Sequence, residues 1–297
     1  MKCDLCPRKC LVDRKKGEKG ICGQTENLKV ARAALHFWEE PCISGDAGSG
    51  AVFFSGCPLH CVFCQNENIA NGTVGKEISL ERLVDIFLEL QEKRANNINL
   101  VTPGHFVPQI VKALDQARKE GLTLPVVYNT SSYETVDTIK MLEGYVDIYL
   151  PDFKYMSPVL SKKYSHAPDY AEVAKAAIAE MVRQTGKAVF VNGEEDNLIL
   201  SGTIVRHLTL PGCMADSMQI LKYLHDTYGD MIYISIMNQF TPLSNLEKYP
   251  ELNRRITDEE YETLVDYAIE IGIENGFIQE GNTAEESFIP AFDCEGV

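Results

Sequence analysis

No stretch of this chain is both long and apolar. Nothing approaches the roughly 20 consecutive apolar residues that span a bilayer. The chain opens MKCDLCPRKC, without the basic and then apolar start of a secretion signal. A membrane or secreted protein is therefore not expected, and the sequence reads as cytoplasmic. Positive charge is also scarce, with 28 Lys and Arg against 43 Asp and Glu and a net charge of −15. A field of that sign repels phosphate backbones, which argues against nucleic acid as a partner. The basic stretch RKCLVDRKKGEKG (8–20) is the local exception. It reads first as a solvated loop, and second as a docking patch for a reductant or another partner. No repeat of solenoid length and no low-complexity segment occurs. Gly45, Gly48, Gly50 and Gly56 are not followed by Gly-Lys-Ser/Thr, which excludes a phosphate loop and suggests a hairpin leading into a strand. The six histidines (36, 60, 105, 166, 207, 225) show no metal-binding spacing and read mostly as packing or surface residues.

With 297 residues, 45% of them hydrophobic, the chain can bury a large core without disulfides. Its ten cysteines need another purpose, and in a reducing compartment clustered thiols hold metals more often than one another. From about residue 46 a strand–helix rhythm sets in. Strands are expected at AVFFSG (51–56), NINLV (97–101), LPVVYNT (124–130), VDIYLPDFK (146–154), TIVRHLTL (203–210), MIYISIMNQ (231–239) and GFIQEG (276–281). Helices are expected from Ser79 as N-cap through residue 95, over 107–121, near 133–143, 169–185 and 216–228, and over 258–272 behind a Thr257/Glu260 capping box. Such alternation implies α/β architecture, a parallel sheet covered by helices and closed or partly closed as a barrel. Chemistry in such folds gathers at the C-terminal strand ends. Those ends carry 56–64, 102–105, 129–132, 152–154, 211–213 and 238–239.

The first of these ends holds Cys57, Cys61 and Cys64 inside eight positions, with no obvious fourth ligand. A [4Fe–4S] cubane ordinarily takes four thiolates, one per iron. Three from a single loop leave one iron open to another ligand, as catalytic zinc keeps an open position. Gly56 allows the close turn and Phe63 offers an aromatic cover.

GCPLHCVFCQN resembles the signature of radical S-adenosylmethionine (SAM) enzymes. HFWEEPCISGDAGSGAVFFSG, NINLVTPGH, VDIYLPDFKY and GFIQEG resemble their pyruvate formate-lyase activating enzyme-like branch, over nearly the whole chain. The resemblance implies a partial (β/α)6 barrel holding a [4Fe–4S] cluster and SAM. It implies reductive cleavage of SAM to methionine and a 5′-deoxyadenosyl radical that abstracts hydrogen, in the namesake activases from a glycine Cα. It also implies a one-electron reductant such as a flavodoxin or ferredoxin, and a protein or peptide among the candidate substrates. Residue by residue, Thr102 and Gly104 fall where the activases bind the SAM amino group with a Gly-Gly-Glu-Pro type motif, here without the glutamate. Asn129, Thr130 and Ser131 fall on their Asp-Thr-Asn-Gly segment, with Asn129 replacing a carboxylate. Asp152 and Lys154 match an Asp-Leu-Lys motif, in which Lys154 would meet the SAM carboxylate. Arg206 takes a similar carboxylate role, and Gln239 lies near a histidine that contacts the ribose or adenine.

Upstream, Cys3, Cys6, Cys10 and Cys22 have the spacing of a four-thiolate site for zinc or a second cluster. Residues 1–45 are expected as a short Cys-rich extension and 46–297 as the barrel. Cys42, Cys213 and Cys294 stand alone. Two readings compete for the whole: a radical enzyme acting on a glycyl radical protein, a peptide or a small molecule, and a non-catalytic iron–sulfur electron-transfer or metal-binding protein.

Overall fold

The computed structural model describes residues 2–191, 198–242, 246–279 and 290–297. Glu280 and Gly281 of the last expected strand lie outside them. Its strands are β1 (Leu28–His36), β2 (Ser49–Phe54), β3 (Lys76–Ile78), β4 (Ile98–Val101), β5 (Val126–Thr130), β6 (Ile148–Pro151), β7 (Val189–Phe190), β8 (Ile199–Leu208), β9 (Tyr233–Met237) and β10 (Gly276–Ile278). Their order in the sheet is β10-β9-β8-β6-β5-β4-β2-β1-β3, with β7 against β8. From β2 to β10 every neighbour is parallel, while β1, β3 and β7 pair antiparallel. Among the described residues β3 and β10 are the two ends and do not pair, so the barrel is unclosed.

Covered on both faces, the central strands are apolar almost throughout, as parallel strands must be. One face meets the helices. In the helix Leu80–Glu92, Leu83, Val84, Ile86, Phe87 and Leu90 are buried, each contributing about 1.5–3 kcal/mol. Ser79 caps it, its Oγ accepting from Arg82 N at 3.1 Å. Thr257 and Glu260 form the expected capping box on the helix Asp258–Glu270. The helix expected near 133–143 shrinks to Val136–Lys140, and the helix Pro158–Ser165 has no counterpart in the sequence reading.

The other face lines the lumen. Asn129 lies beside Leu150, Asp152 bridges to Arg206, and Arg206 pairs with Ser235. Equal parity turns Asp152, Arg206 and Ser235 to the same side across three strands. Lower in the lumen, Val127, Ile148, Leu150, Ile199 and Ile204 pack around Cys42 and Ile43, which belong to the connection between β1 and β2. That connection is the expected hairpin, made long by the helix Pro41–Ser44. Strand β1 itself lies inside the first 45 residues and is built into the sheet between β2 and β3.

Candidate functional site

At the end of β2 the chain turns sharply through Gly56. Its φ is +94°, and a Cβ there would come within 2.5 Å of the Cys22 carbonyl oxygen. Gly56 N donates to Ile69 O at 2.7 Å and Cys64 N to Cys61 O at 3.0 Å, folding the loop so that Cys57, Cys61 and Cys64 all face one cavity of about 540 Å³. Ser165 Oγ donates to Cys61 Sγ at 3.0 Å. Phe63 is buried, its ring edge-on to Tyr155 and Phe240.

The opposite wall is ionic. Lys154 Nζ donates to Asp152 Oδ2 at 2.7 Å, and Arg206 Nε to Asp152 Oδ1 at 3.0 Å. Arg206 also donates to Asn129 Oδ1 at 2.7 Å and to Glu39 Oε2 at 2.9 Å. Glu39 Oε1 accepts from Asn129 and Asn99, each at 3.1 Å. Burial alone would raise the Asp152 carboxyl. Lys154 and Arg206 outweigh that and hold it below the usual carboxylate range. Burial likewise opposes the charge on Lys154, but Asp152 outweighs it and holds the ammonium above its usual range.

Of the residues singled out from the sequence, Cys57, Cys61, Cys64, Thr102, Asn129, Thr130, Ser131, Asp152, Lys154, Arg206 and Gln239 all line this cavity. Thr102 does so in a left-handed conformation (φ +56°), with its N–H on Asn129 O at 2.9 Å. Thr130 donates to the buried Glu134 carboxylate at 2.5 Å. Gly104 lies behind the wall, its Cα against that carboxylate, so that a Cβ would come within 2.8 Å of Glu134 Oε2. The main-chain carbonyl of Gln239 accepts from Gln65 Nε2 at 2.9 Å.

Among the lining residues given no role from the sequence are Trp38, Glu39 and Glu40, from the turn after β1, although they fall inside the family-like segment HFWEEPCISG. Two adjacent acids before a proline were the visible signal; no periodicity marked them as inward-facing.

The N-terminal cysteines lie against the back of the thiol loop. Cys3 N donates to Val12 O at 2.9 Å, Leu11 N to Cys3 O at 3.0 Å, and Ile21 N to Cys10 Sγ at 3.3 Å. These contacts draw 3, 10 and 22 toward one another. Burial pushes the Cys6 thiol up to about 12, and Cys22, Cys10 and Cys3 add to the rise. Arg8 ties the segment down, donating to Pro58 O at 2.9 Å and Ser165 O at 3.0 Å. Arg14 donates to His105 O and Thr25 O. Two of the basic residues are thus anchors, while Lys9, Lys15, Lys16 and Lys19 are exposed.

The profile of the Radical SAM superfamily matches residues 51–199, half of the chain, and the chain belongs to that superfamily. The Uncharacterized protein MJ0674 of Methanocaldococcus jannaschii is 28% identical over 275 residues, covering 90% of this chain and 74% of its own. Among solved structures, HydG, a maturase of the [FeFe]-hydrogenase, superimposes with a TM-score of 0.52 at 14% identity, over 76% of this chain and 50% of that one. Streptococcus suis SuiB bound to S-adenosylmethionine gives 0.51 at 13% identity, over 75% and 48%. The chain spans about half the length of these two structures, and the likeness is one of fold.

Superfamily membership implies a [4Fe–4S] cluster and SAM, and the donor set fits both. Burial pushes the Cys57 thiol up to about 11, and Cys64 rises further for the same reason, each aided by the Cys61 sulfur. The thiolate forms therefore need a cationic group at that end of the cavity. Among the described residues no three His, Cys, Asp or Glu side chains stand as ligands of one ion. A cubane asks for something different, one thiolate on each iron. Beside the thiols, the Asp152–Lys154–Arg206 network offers both signs of charge, as a zwitterionic amino-acid moiety requires.

Proposed function

We propose that this enzyme is an activating-enzyme-like member of its superfamily, with Cys57, Cys61 and Cys64 holding the [4Fe–4S] cluster and the adjoining wall holding SAM. One observation carries the reading: the three thiols and the Asp152–Lys154–Arg206–Asn129 network share a single cavity. When bound, the two cofactors supply reductive cleavage of SAM to methionine and a 5′-deoxyadenosyl radical that abstracts hydrogen from the substrate.

The chain's part is to bind, orient and keep water out. Lys154 has donors beyond its bond to Asp152 and meets the SAM carboxylate. Asp152 holds Lys154 and Arg206 in place. Thr102, Asn129, Thr130 and Ser131 supply polar contacts around the amino group and ribose, and Gln239 closes the far side. Leu59, Phe63 and Phe240 are buried around the thiol loop and exclude water. The reductant is a flavodoxin- or ferredoxin-type protein, the setting is cytoplasmic, and the substrate is a glycyl radical protein, another peptide, or a small molecule. SuiB, a structure of similar fold, has been solved bound to a precursor peptide. Cys3, Cys6, Cys10 and Cys22 hold a second centre, zinc or a cluster, in the N-terminal extension of residues 1–45.

The test is anaerobic reconstitution with iron and sulfide, reduction, and assay for 5′-deoxyadenosine. Formation of 5′-deoxyadenosine that depends on all three cavity cysteines supports the proposal. Absent cleavage overturns it in favour of a non-catalytic iron–sulfur protein, and cleavage retained without those thiols overturns the assignment of Cys57, Cys61 and Cys64 to the cluster.

A further inference from the structure

The turn between β1 and β2 carries an acid that no role above employs. Glu40 is 8% exposed and lines the cavity, yet its Oε2 has no hydrogen-bond partner among the described residues. A buried acceptor stripped of water and left unpaired is costly, and folds retain such groups mainly where something else completes them.

The charges around it are already matched. Asp152 and Glu39 are paired with Lys154 and Arg206, leaving Glu40 as the surplus acid. Burial, opposed by Arg206, pushes its carboxyl up. His36 lines the same cavity but supplies no counter-charge, because burial, Arg32 and Arg206 push it down to about 4. Ser235 of β9 lines the same cavity, and Phe53, Met237 and Phe277 give it apolar walls.

We propose that Glu40 and Ser235 form a substrate subsite that receives a primary ammonium group at the inner end of the substrate. An ammonium pairs with the surplus carboxylate and satisfies its free oxygen. A carboxylate or phosphate in its place would face Glu39 and Glu40 together. The inference rests on the reading of this cavity as a reaction chamber and adds its substrate class.

Trp38, the single tryptophan of the chain, lines the same cavity and reports on it directly. The experiment titrates the full-length protein with 1,4-diaminobutane and, separately, with succinate, which has the same four-carbon backbone and opposite charge, following Trp38 emission. The expected result is a saturable change with the diamine only, its half-saturation raised roughly tenfold or more in Glu40→Gln. Equal responses to both probes, no response to either, or an unshifted midpoint in a folded Glu40→Gln overturns the subsite. If that variant fails to fold, the two probes on the wild-type protein still decide. Emission is read without SAM cleavage, so the two proposals fail separately. A protein that takes the diamine but forms no 5′-deoxyadenosine overturns the radical chemistry alone. One that cleaves SAM without a diamine-specific response overturns the subsite alone.

Discussion

Glu39 and Arg206, 167 residues apart in the chain, meet at 2.9 Å inside the barrel. The contact ties the turn after β1 to the end of β8, and it completes a guanidinium that also serves Asp152 and Asn129. Three acceptors on one planar fork is an arrangement lysine cannot reproduce. Arg206→Ala leaves two buried carboxylates short of a partner and is expected to cost about 3–5 kcal/mol of stability. Arg206→Lys is expected to recover only part of this. Urea unfolding of the two variants measures both.

Lys154→Ala removes one charge while leaving Asp152 its bond to Arg206. SAM affinity is expected to fall by about 1.5–3 kcal/mol, roughly 10- to 150-fold, with iron content unchanged. Equilibrium dialysis with labelled SAM beside an iron assay checks it. Unaltered affinity would remove Lys154 from the SAM site.

Replacing Cys57, Cys61 or Cys64 singly by Ala is expected to abolish 5′-deoxyadenosine formation and most reconstituted iron. The loop is held by backbone bonds such as Gly56 N to Ile69 O at 2.7 Å, so the circular dichroism of the variants should match wild type.

Joint replacement of Cys3, Cys6, Cys10 and Cys22 by Ala is expected to remove one zinc, or about one cluster's iron, and to open the first ~45 residues to protease. Metal analysis and limited proteolysis decide the matter, and identical metal content would leave these as packing residues.

Two buried histidines set an acid limit. Burial pushes His105 down to about 3 and His207 down to about 4. The unfolded chain, with histidine near 6.5, takes up protons that the native state refuses. Stability is therefore expected to fall as pH drops from about 6.5 toward 4. The decline should be shallower in His207→Gln, which loses one of these groups. Urea midpoints across that range give the slopes.

Where structure depends on near neighbours in sequence, the chain announced it. The Thr257/Glu260 box and the Ser79 cap are local hydrogen bonds, and the parity of Asp152 and Lys154 follows from a strand's period of two. Strand β1 hid for two reasons. Ala31, Ala33 and Ala34 favour helix, and a register shift between Val30 and Arg32 breaks the alternation. Glu39 and Glu40 hid because their meaning lies in residues far along the chain. Gly104 matched a motif, but its contact with Glu134 depends on how the loop after β5 folds back.

The turn carrying Glu39 and Glu40 leaves β1 where His36 pairs with Ser49, at the opposite end of β2 from the thiol loop. One chamber is thus furnished by two loops from opposite rims. The thiol loop begins a parallel crossover whose path the rest of the sheet fixes. The acidic turn merely joins two antiparallel neighbours. Its residues can be exchanged without rethreading a strand, so the two ends of the chamber are free to diversify at different rates.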